Sequence, residues 1–194
     1  MANSASLDRN PDSAHGPSHP HVGRPADSVP AIERSDAPRD EAFLIAFLPY
    51  AVAQAQRHRE PVSLLFVAID RLAAIRELHG PGLAETAVRH VVETVVKTLR
   101  ASDLVARLDD GRIVVVLPYA GAPDLPTVAE AVRKAIDEAG GATCSMPRLT
   151  ASIGMATYPD HAHGAGSLLR AAVAALDRAR RLGPNRTAAP EPVA

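Results

Sequence analysis

The apolar residues of this chain follow two patterns: continuous runs, and positions spaced three or four residues apart. Residues 61–69 form a continuous apolar run with the length of a buried β-strand, and 150–158 form a second such run. Apolar residues spaced three and four apart predict helices elsewhere, and Pro49 is expected to kink or break the first of them. The predicted helices cover 40–57, 71–79, 83–100, 125–139 and 167–182.

A β-hairpin is predicted between the third and fourth helices. Its first strand covers 104–108, its turn is Asp109-Asp110-Gly111, and its second strand covers 113–117. Asp-Gly between two strand-like runs favours a hairpin because glycine tolerates the positive φ of a tight turn. Beyond the first helix, the order is strand, helix, helix, hairpin, helix, strand, helix. This order predicts an α/β sandwich with a partly antiparallel, mixed central sheet.

The two ends of the chain differ in composition from the middle. Residues 1–38 carry six of the 17 prolines among Ser, Asp, His and Gly, with almost no apolar run. Such a segment buries too little surface to offset the entropy of ordering it, so we expect a disordered arm. Residues 187–194 repeat the Pro and Ala bias and are expected to form a disordered tail. One folded domain is therefore predicted over 39–186.

Charge and cysteine content narrow the classes of partner and compartment. The formal net charge is −1, which gives no global attraction to nucleic acid or to an anionic membrane. The single cysteine, Cys144, fits a reducing compartment. The longest apolar stretch, 42–53, is shorter than the roughly 20 residues of a membrane span. We expect a cytoplasmic protein without a nucleic-acid or membrane partner.

Four segments in order resemble the GGDEF family, the bacterial diguanylate cyclase domains. Ala-Arg-Leu-Asp-Asp-Gly-Arg-Ile-Val-Val-Val-Leu-Pro at 106–118 is similar to the signature hairpin of that family. Segment 61–70 resembles the first strand, 150–159 resembles the strand T-V-S-I-G-V-A-x-Y-P, and 168–186 resembles the closing helix. The resemblance implies a GGDEF-type, nucleotidyl cyclase-like fold.

At the positions that carry the family's catalysis, this sequence departs from the pattern. The resemblance implies a divalent metal held by two carboxylates, one opening the motif D-I-D-x-F-K and one in the signature turn. The first position is Ala68 here and the second is Gly111. We therefore expect a degenerate, catalytically inactive domain that is not an enzyme and has neither catalytic residues nor a metal site. The degenerate positions are Ala68, Asp109, Asp110, Gly111, Arg112 and Ile113.

Positions that contact the nucleotide in the family are altered as well. The resemblance places guanine contacts at Arg76 and Glu85, and phosphate contacts at Arg180 and Pro184. Of the two phosphate contacts, Arg180 keeps the charge of the family residue and Pro184 does not.

A substitute carboxylate set is an alternative to the lost metal site. It would consist of Asp70, Asp109 and Asp110. A carboxylate displaced by one residue along a strand generally points to the other face, so the simpler interpretation of Asp109-Asp110-Gly111 is a solvated turn.

An Arg-x-x-Asp motif at Arg100 and Asp103 keeps its spacing to the signature turn. In the family this motif is the core of an inhibitory product site that binds cyclic di-GMP. A guanidinium can bond guanine or a phosphate through two parallel hydrogen bonds. A further family arginine falls on Ala131, and Arg133 is a candidate substitute.

Three functions follow from these residues. The first is a cyclic di-GMP receptor or regulatory adaptor that uses Arg100, Asp103 and Arg133. The alternative is a protein-interaction module without nucleotide binding, and the third is a residual diguanylate cyclase that requires Mg²⁺. We expect no cofactor apart from cyclic di-GMP as a ligand, together with a protein partner, and the resemblance allows a homodimer.

Overall fold

The computed structural model describes residues 39–141 and 147–190, so the predicted arm over 1–38 lies outside the described residues. The elements alternate along the chain much as the apolar pattern predicts. They are α1 (Glu41–His58), β1 (Val62–Ile69), α2 (Leu72–His79), α3 (Pro81–Thr98), β2 (Leu104–Arg107), β3 (Ile113–Pro118), α4 (Leu125–Ala139), β4 (Ala151–Tyr158), α5 (Ala165–Arg181) and β5 (Thr187–Ala188).

The strands form a five-stranded sheet in the order β2-β3-β1-β4-β5. Strand β1 pairs antiparallel with both β3 and β4, β2 pairs antiparallel with β3, and β4 pairs parallel with β5. The hairpin register closes with Arg107 opposite Ile113. The predicted mixed sheet and the predicted hairpin are therefore both confirmed.

Two hydrophobic cores cover the two faces of this sheet. Strand side chains alternate between faces, so Leu65 and Val67 of β1 join the core beneath α3 and α4. Leu64 and Phe66 of the same strand join the core beneath α1 and α5. Every residue of β1 is buried, as its continuous apolar run predicts. The α/β sandwich is confirmed.

Helix α1 continues through Pro49, so the break allowed for at this residue is absent. The helix begins at an N-cap, where the Asp40 carboxylate accepts a hydrogen bond from the Phe43 backbone N–H at 2.8 Å. Four buried apolar residues along one face hold the helix against the sheet and outweigh the missing proline donor. They are Leu44, Leu48, Val52 and Ala55.

Thr187 and Ala188 were expected in the tail but form strand β5 at the edge of the sheet. The Ile153 backbone N–H donates to the Arg186 carbonyl at 2.8 Å, and Ala188 is buried. A strand of two residues has no apolar period, which is why composition alone favoured a tail.

None of the helices in the described part of the chain is both long and apolar enough to cross a membrane.

Gly154 in β4 should tolerate no side chain. A β-carbon at this position would collide with the backbone of α5 and lie 2.6 Å from the Leu176 Cα atom. Gly154→Ala is therefore expected to lower the free energy of unfolding by about 3 kcal/mol or more, measured by urea denaturation. Gly82→Ala is the matched control, because its β-carbon would meet no atom of the described residues within 4 Å. Equal stability of the two variants would contradict the close packing of α5 on β4.

Candidate functional site

The hairpin turn is held by its own backbone and by Asp110. The Gly111 N–H donates to the Leu108 carbonyl at 3.0 Å, and φ of Gly111 is 85°. The Asp110 carboxylate accepts from the Arg112 backbone N–H at 2.9 Å and from the Arg112 Nε at 2.5 Å. A β-carbon on Gly111 would lie 3.1 Å from Leu72 and 3.2 Å from Val88. Glycine at this position therefore serves both the turn and its packing.

A cleft of about 400 Å³ lies where the end of β1, the start of α2, the hairpin turn and the last turn of α5 meet. We call it the signature cleft. In the described part of the chain, four arginines and one aspartate supply the charge of this cleft, which favours an anionic ligand. Its lining is Ala68, Ile69, Arg71, Leu72, Ala73, Arg76, Asp110, Gly111, Arg112 and Arg180.

The structure brings several of the predicted positions together in this cleft. Arg76 and Arg180 lie there with the degenerate positions 68, 110, 111 and 112. Ile113 is fully buried in the core, because it is the first residue of β3 and faces the helices. Sequence reasoning missed Arg71, which has φ of 56° directly before α2.

The residues of the signature cleft do not fit the metal that the family implies. Mg²⁺ requires oxygen ligands, and neither Ala68 nor Gly111 has a side-chain oxygen. The Asp110 carboxylate is engaged by Arg112. Within residues 39–141 and 147–190, no three His, Cys, Asp or Glu side chains are grouped so that they could hold a metal ion.

Asp70, one residue after β1, anchors two other segments through three hydrogen bonds. Its carboxylate accepts from the hydroxyls of Thr150 and Ser152, both at 2.7 Å, and from the Asn185 backbone N–H at 2.8 Å. Asp70 does not line the signature cleft, whereas Asp110 does. The alternative carboxylate set of Asp70, Asp109 and Asp110 is therefore not assembled around that cleft.

Glu85, at a predicted guanine-contact position, binds an arginine of the hairpin instead. The two guanidinium nitrogens of Arg107 each donate to one oxygen of Glu85 at 2.6 Å. This bidentate hydrogen bond lowers the pKa of the Glu85 carboxyl below its ordinary value, while desolvation opposes the shift. A ligand that needs the Glu85 carboxylate would have to compete with Arg107.

A second cavity, of about 210 Å³, contains Arg100 and Asp103 and is called here the Arg100 cavity. Asp103 closes the turn between α3 and β2, since its carboxylate accepts from the Arg100 backbone N–H at 2.9 Å. The Arg100 side chain is exposed, and its guanidinium makes no hydrogen bond or ion pair within the described residues. The predicted pair thus shares one cavity, with Arg100 open to a ligand.

Tyr119 also lines the Arg100 cavity and was missed in the sequence. Its side chain is 73% exposed and φ is 61°, both unusual for an aromatic residue. The backbone is fixed by a hydrogen bond from the Tyr119 N–H to the Pro61 carbonyl at 2.9 Å. An exposed aromatic ring carried by a backbone fixed in this way offers a stacking surface for a planar ligand. The only sequence signal was a tyrosine directly after the proline that ends β3.

Arg133 lies in a different cavity from Arg100. Its guanidinium donates to Glu130 at 2.7 and 2.8 Å and to the Asn185 side-chain oxygen at 2.6 Å, and it lines a cavity with these two residues. Ala131 is exposed and lies one helical turn beyond Thr127 and Val128, which do line the Arg100 cavity. The structure therefore places Ala131, and not Arg133, on the Arg100 side of α4.

Comparison with known proteins gives a family match over most of the chain. The family described as "Diguanylate cyclase, GGDEF domain" matches residues 41–186. Diguanylate cyclase TpbB of Pseudomonas aeruginosa is 32% identical over 147 residues, which are 73% of this chain and 33% of TpbB. The chain thus spans about a third of the length of this curated relative.

Solved structures show the same fold. The crystal structure of the GGDEF domain of TpbB from Pseudomonas aeruginosa aligns with a TM-score of 0.71 and 28% identity, covering 80% of this chain and 99% of that domain. The GGDEF domain of DgcB from Caulobacter crescentus in complex with c-di-GMP aligns with a TM-score of 0.72. Its identity is 20%, over 87% of this chain and 98% of that one, and this likeness shows the fold alone.

These comparisons confirm the resemblance and correct one expectation. The prediction that the chain is not an enzyme is wrong, because the matching family is an enzyme family and TpbB is a diguanylate cyclase. The prediction was drawn from altered positions such as Ala68 and Gly111, whereas the match extends over residues 41–186.

Removing the Asp70 carboxylate should destabilise the fold. Asp70→Ala leaves two hydroxyls and one N–H without their acceptor, so we expect the free energy of unfolding to fall by about 2–4 kcal/mol. Asp70→Asn keeps one acceptor oxygen and should lie between this variant and the wild type. Asp177→Ala, on the exposed face of α5, is the control and should change stability by less than about 0.5 kcal/mol. Urea denaturation measures all three, and an Asp70→Ala protein as stable as the control would contradict the anchoring role.

Proposed function

This chain belongs to the diguanylate cyclase GGDEF domain family, and we propose that it acts in cyclic di-GMP signalling by binding this nucleotide at Arg100 and Asp103. In this proposal the domain is a cyclic di-GMP receptor that passes the bound state to a protein partner. The observation that carries it is the Arg100 cavity, in which the free Arg100 guanidinium, the Asp103 carboxylate and the exposed Tyr119 ring lie together.

The chemistry of the cavity suits a guanine base attached to a phosphate. The Arg100 guanidinium can donate two parallel hydrogen bonds to guanine O6 and N7 or to a phosphate. Asp103 uses two of its acceptor positions on the Arg100 N–H and the Ser102 hydroxyl, which leaves others for guanine N–H groups. Tyr119 would stack on the base.

The size of the cavity also bears on how the ligand would bind. At about 210 Å³ it is smaller than a site that encloses a whole dinucleotide, so it would hold one guanine moiety while the rest stays at the surface. The c-di-GMP complex of the DgcB domain makes this nucleotide the natural probe for a chain with the same fold.

Cyclic di-GMP is expected to bind the wild-type protein in a calorimetric titration, and Arg100→Ala should weaken binding by at least about tenfold because a charge-assisted contact is lost. Tyr119→Ala should weaken it by about tenfold, while Tyr119→Phe should keep most of the affinity, since stacking needs only the ring.

Lys97→Ala is the matched control for charge in this titration. It removes a positive charge from the last turn of the same helix without touching the cavity, so affinity should not change. Arg133→Ala tests the predicted contribution of Arg133 and is expected to leave binding unchanged, because that side chain lines a separate cavity. No heat with the wild type would remove the proposal and favour the protein-interaction module without nucleotide binding.

The second candidate is the reaction of the relatives, the condensation of two GTP molecules into cyclic di-GMP. The observation that favours it is the set of four arginines around the signature cleft, which suits the phosphates of GTP. Arg180, in the last turn of α5, keeps the positive charge of a family phosphate contact.

If GTP occupies the signature cleft, Arg180→Gln should weaken GTP binding by about tenfold through loss of a charged contact. Arg170→Gln, an exposed arginine of the same helix that lies outside the cleft, is the control and should bind GTP as the wild type does. Chromatography of the same samples with Mg²⁺ shows whether cyclic di-GMP is formed. Equal GTP affinity in both variants would exclude the cleft as the phosphate site.

A further inference from the structure

A larger cavity, of about 450 Å³, lies between α1 and α5 over the sheet face that carries Phe66. We call it the α1–α5 cavity. Its wall is mostly apolar and includes Ile45, an isoleucine that is 64% exposed. The volume falls within the usual range of small-molecule sites, which are typically apolar with a few polar groups that fix orientation. The cavity therefore has the size and lining of a site for an apolar molecule.

One guanidinium at the wall of this cavity is held in place with part of its hydrogen-bonding capacity free. Asp110 accepts from the Arg112 Nε at 2.5 Å, and the guanidinium carbon lies 5.0 Å from the centroid of the Phe66 ring. Within the described residues, the two terminal nitrogens of Arg112 make no hydrogen bond. The ring contact with Phe66 and the ion pair with Asp110 fix the plane of the Arg112 guanidinium. Its two terminal nitrogens are therefore preorganised to donate to an acceptor.

Small residues of α5 explain why the chain does not fill the space itself. Ala165 and Gly166, in the first turn of α5, line the cavity opposite α1. Among the residues that the structure describes, the other charged side chain of the wall is that of Glu41, in the first turn of α1. With one guanidinium and one carboxylate in the wall, a ligand with a single anionic group at one end is favoured over a polyanion.

We propose that the α1–α5 cavity binds a medium-chain carboxylate, with its hydrocarbon chain against α1 and α5 and its carboxylate on the terminal nitrogens of Arg112. The ligand's carboxylate and the Arg112 guanidinium form a charge-assisted contact. The hydrocarbon part of the ligand covers Ile45 and removes apolar surface from water. Arg112 also borders the signature cleft, so the head group would lie at the wall that the two sites share. This proposal is independent of nucleotide binding at Arg100.

Octanoate and 1-octanol are the probes, titrated into the full chain and followed through amide chemical shifts by NMR. Octanoate is expected to shift the amides of Arg112, Gly166 and Leu169, and to bind about tenfold more tightly than 1-octanol because only the carboxylate pairs with a guanidinium. Arg112→Gln should weaken octanoate binding by about tenfold and bring it close to that of 1-octanol.

Filling the cavity is the second test. Gly166→Leu places a side chain at the cavity wall, where a β-carbon would lie 3.5 Å from the Arg170 side chain, and should abolish octanoate binding. Ala174→Leu adds the same bulk to an exposed position of the same helix and should bind octanoate as the wild type does. Thermal unfolding checks that both variants are folded. Equal affinity for the two probes, unchanged binding in Gly166→Leu, or no shifts near Arg112 would each overturn the proposal.

Discussion

Strand β1 is the element on which the rest of the structure depends. It is hydrogen-bonded along both edges and buried on both faces. Its register therefore fixes the positions of the residues that pack against it. Phe66 forms part of the α1–α5 cavity, Ala68 reaches the signature cleft, and Asp70 ties the chain just beyond the strand to β4 and to Asn185. Near the start of the strand, the Ser63 hydroxyl bonds the Ala120 carbonyl at 2.7 Å, beside the loop that carries Tyr119.

The arginines around the candidate sites differ in whether a carboxylate holds them. Arg107 is committed to Glu85, and Arg133 to Glu130, through hydrogen bonds that fix the hairpin to α3 and stabilise α4. Arg100 has no such partner within the described residues, and Arg112 has one that leaves its terminal nitrogens free. Ligand binding costs less free energy at a guanidinium with free N–H groups than at a guanidinium that must first break an ion pair.

Much of the fold was predictable because its elements have strong local signals. The apolar run of β1, the Asp-Gly turn at Asp110 and Gly111, and the period of α4 each indicate one structure. Strand β5 was not predictable, because its two residues are ordered by the edge of β4 and not by their own pattern. Within the candidate site, the spacing of Arg100 and Asp103 could be read from sequence. Tyr119 could not be assigned to it, since the cavity forms only when the loop after β3 meets the turn after α3 and the start of α4.

The proposed binding of cyclic di-GMP in the Arg100 cavity is tested most directly by amide chemical shifts measured during a titration with this nucleotide. We expect the perturbed amides to cluster around four residues that line one cavity, Arg100, Asp103, Tyr119 and Thr127. The amides of Arg71 and Arg76 in the signature cleft should stay unchanged. Perturbations confined to the signature cleft, or none at all at saturating nucleotide, would contradict it.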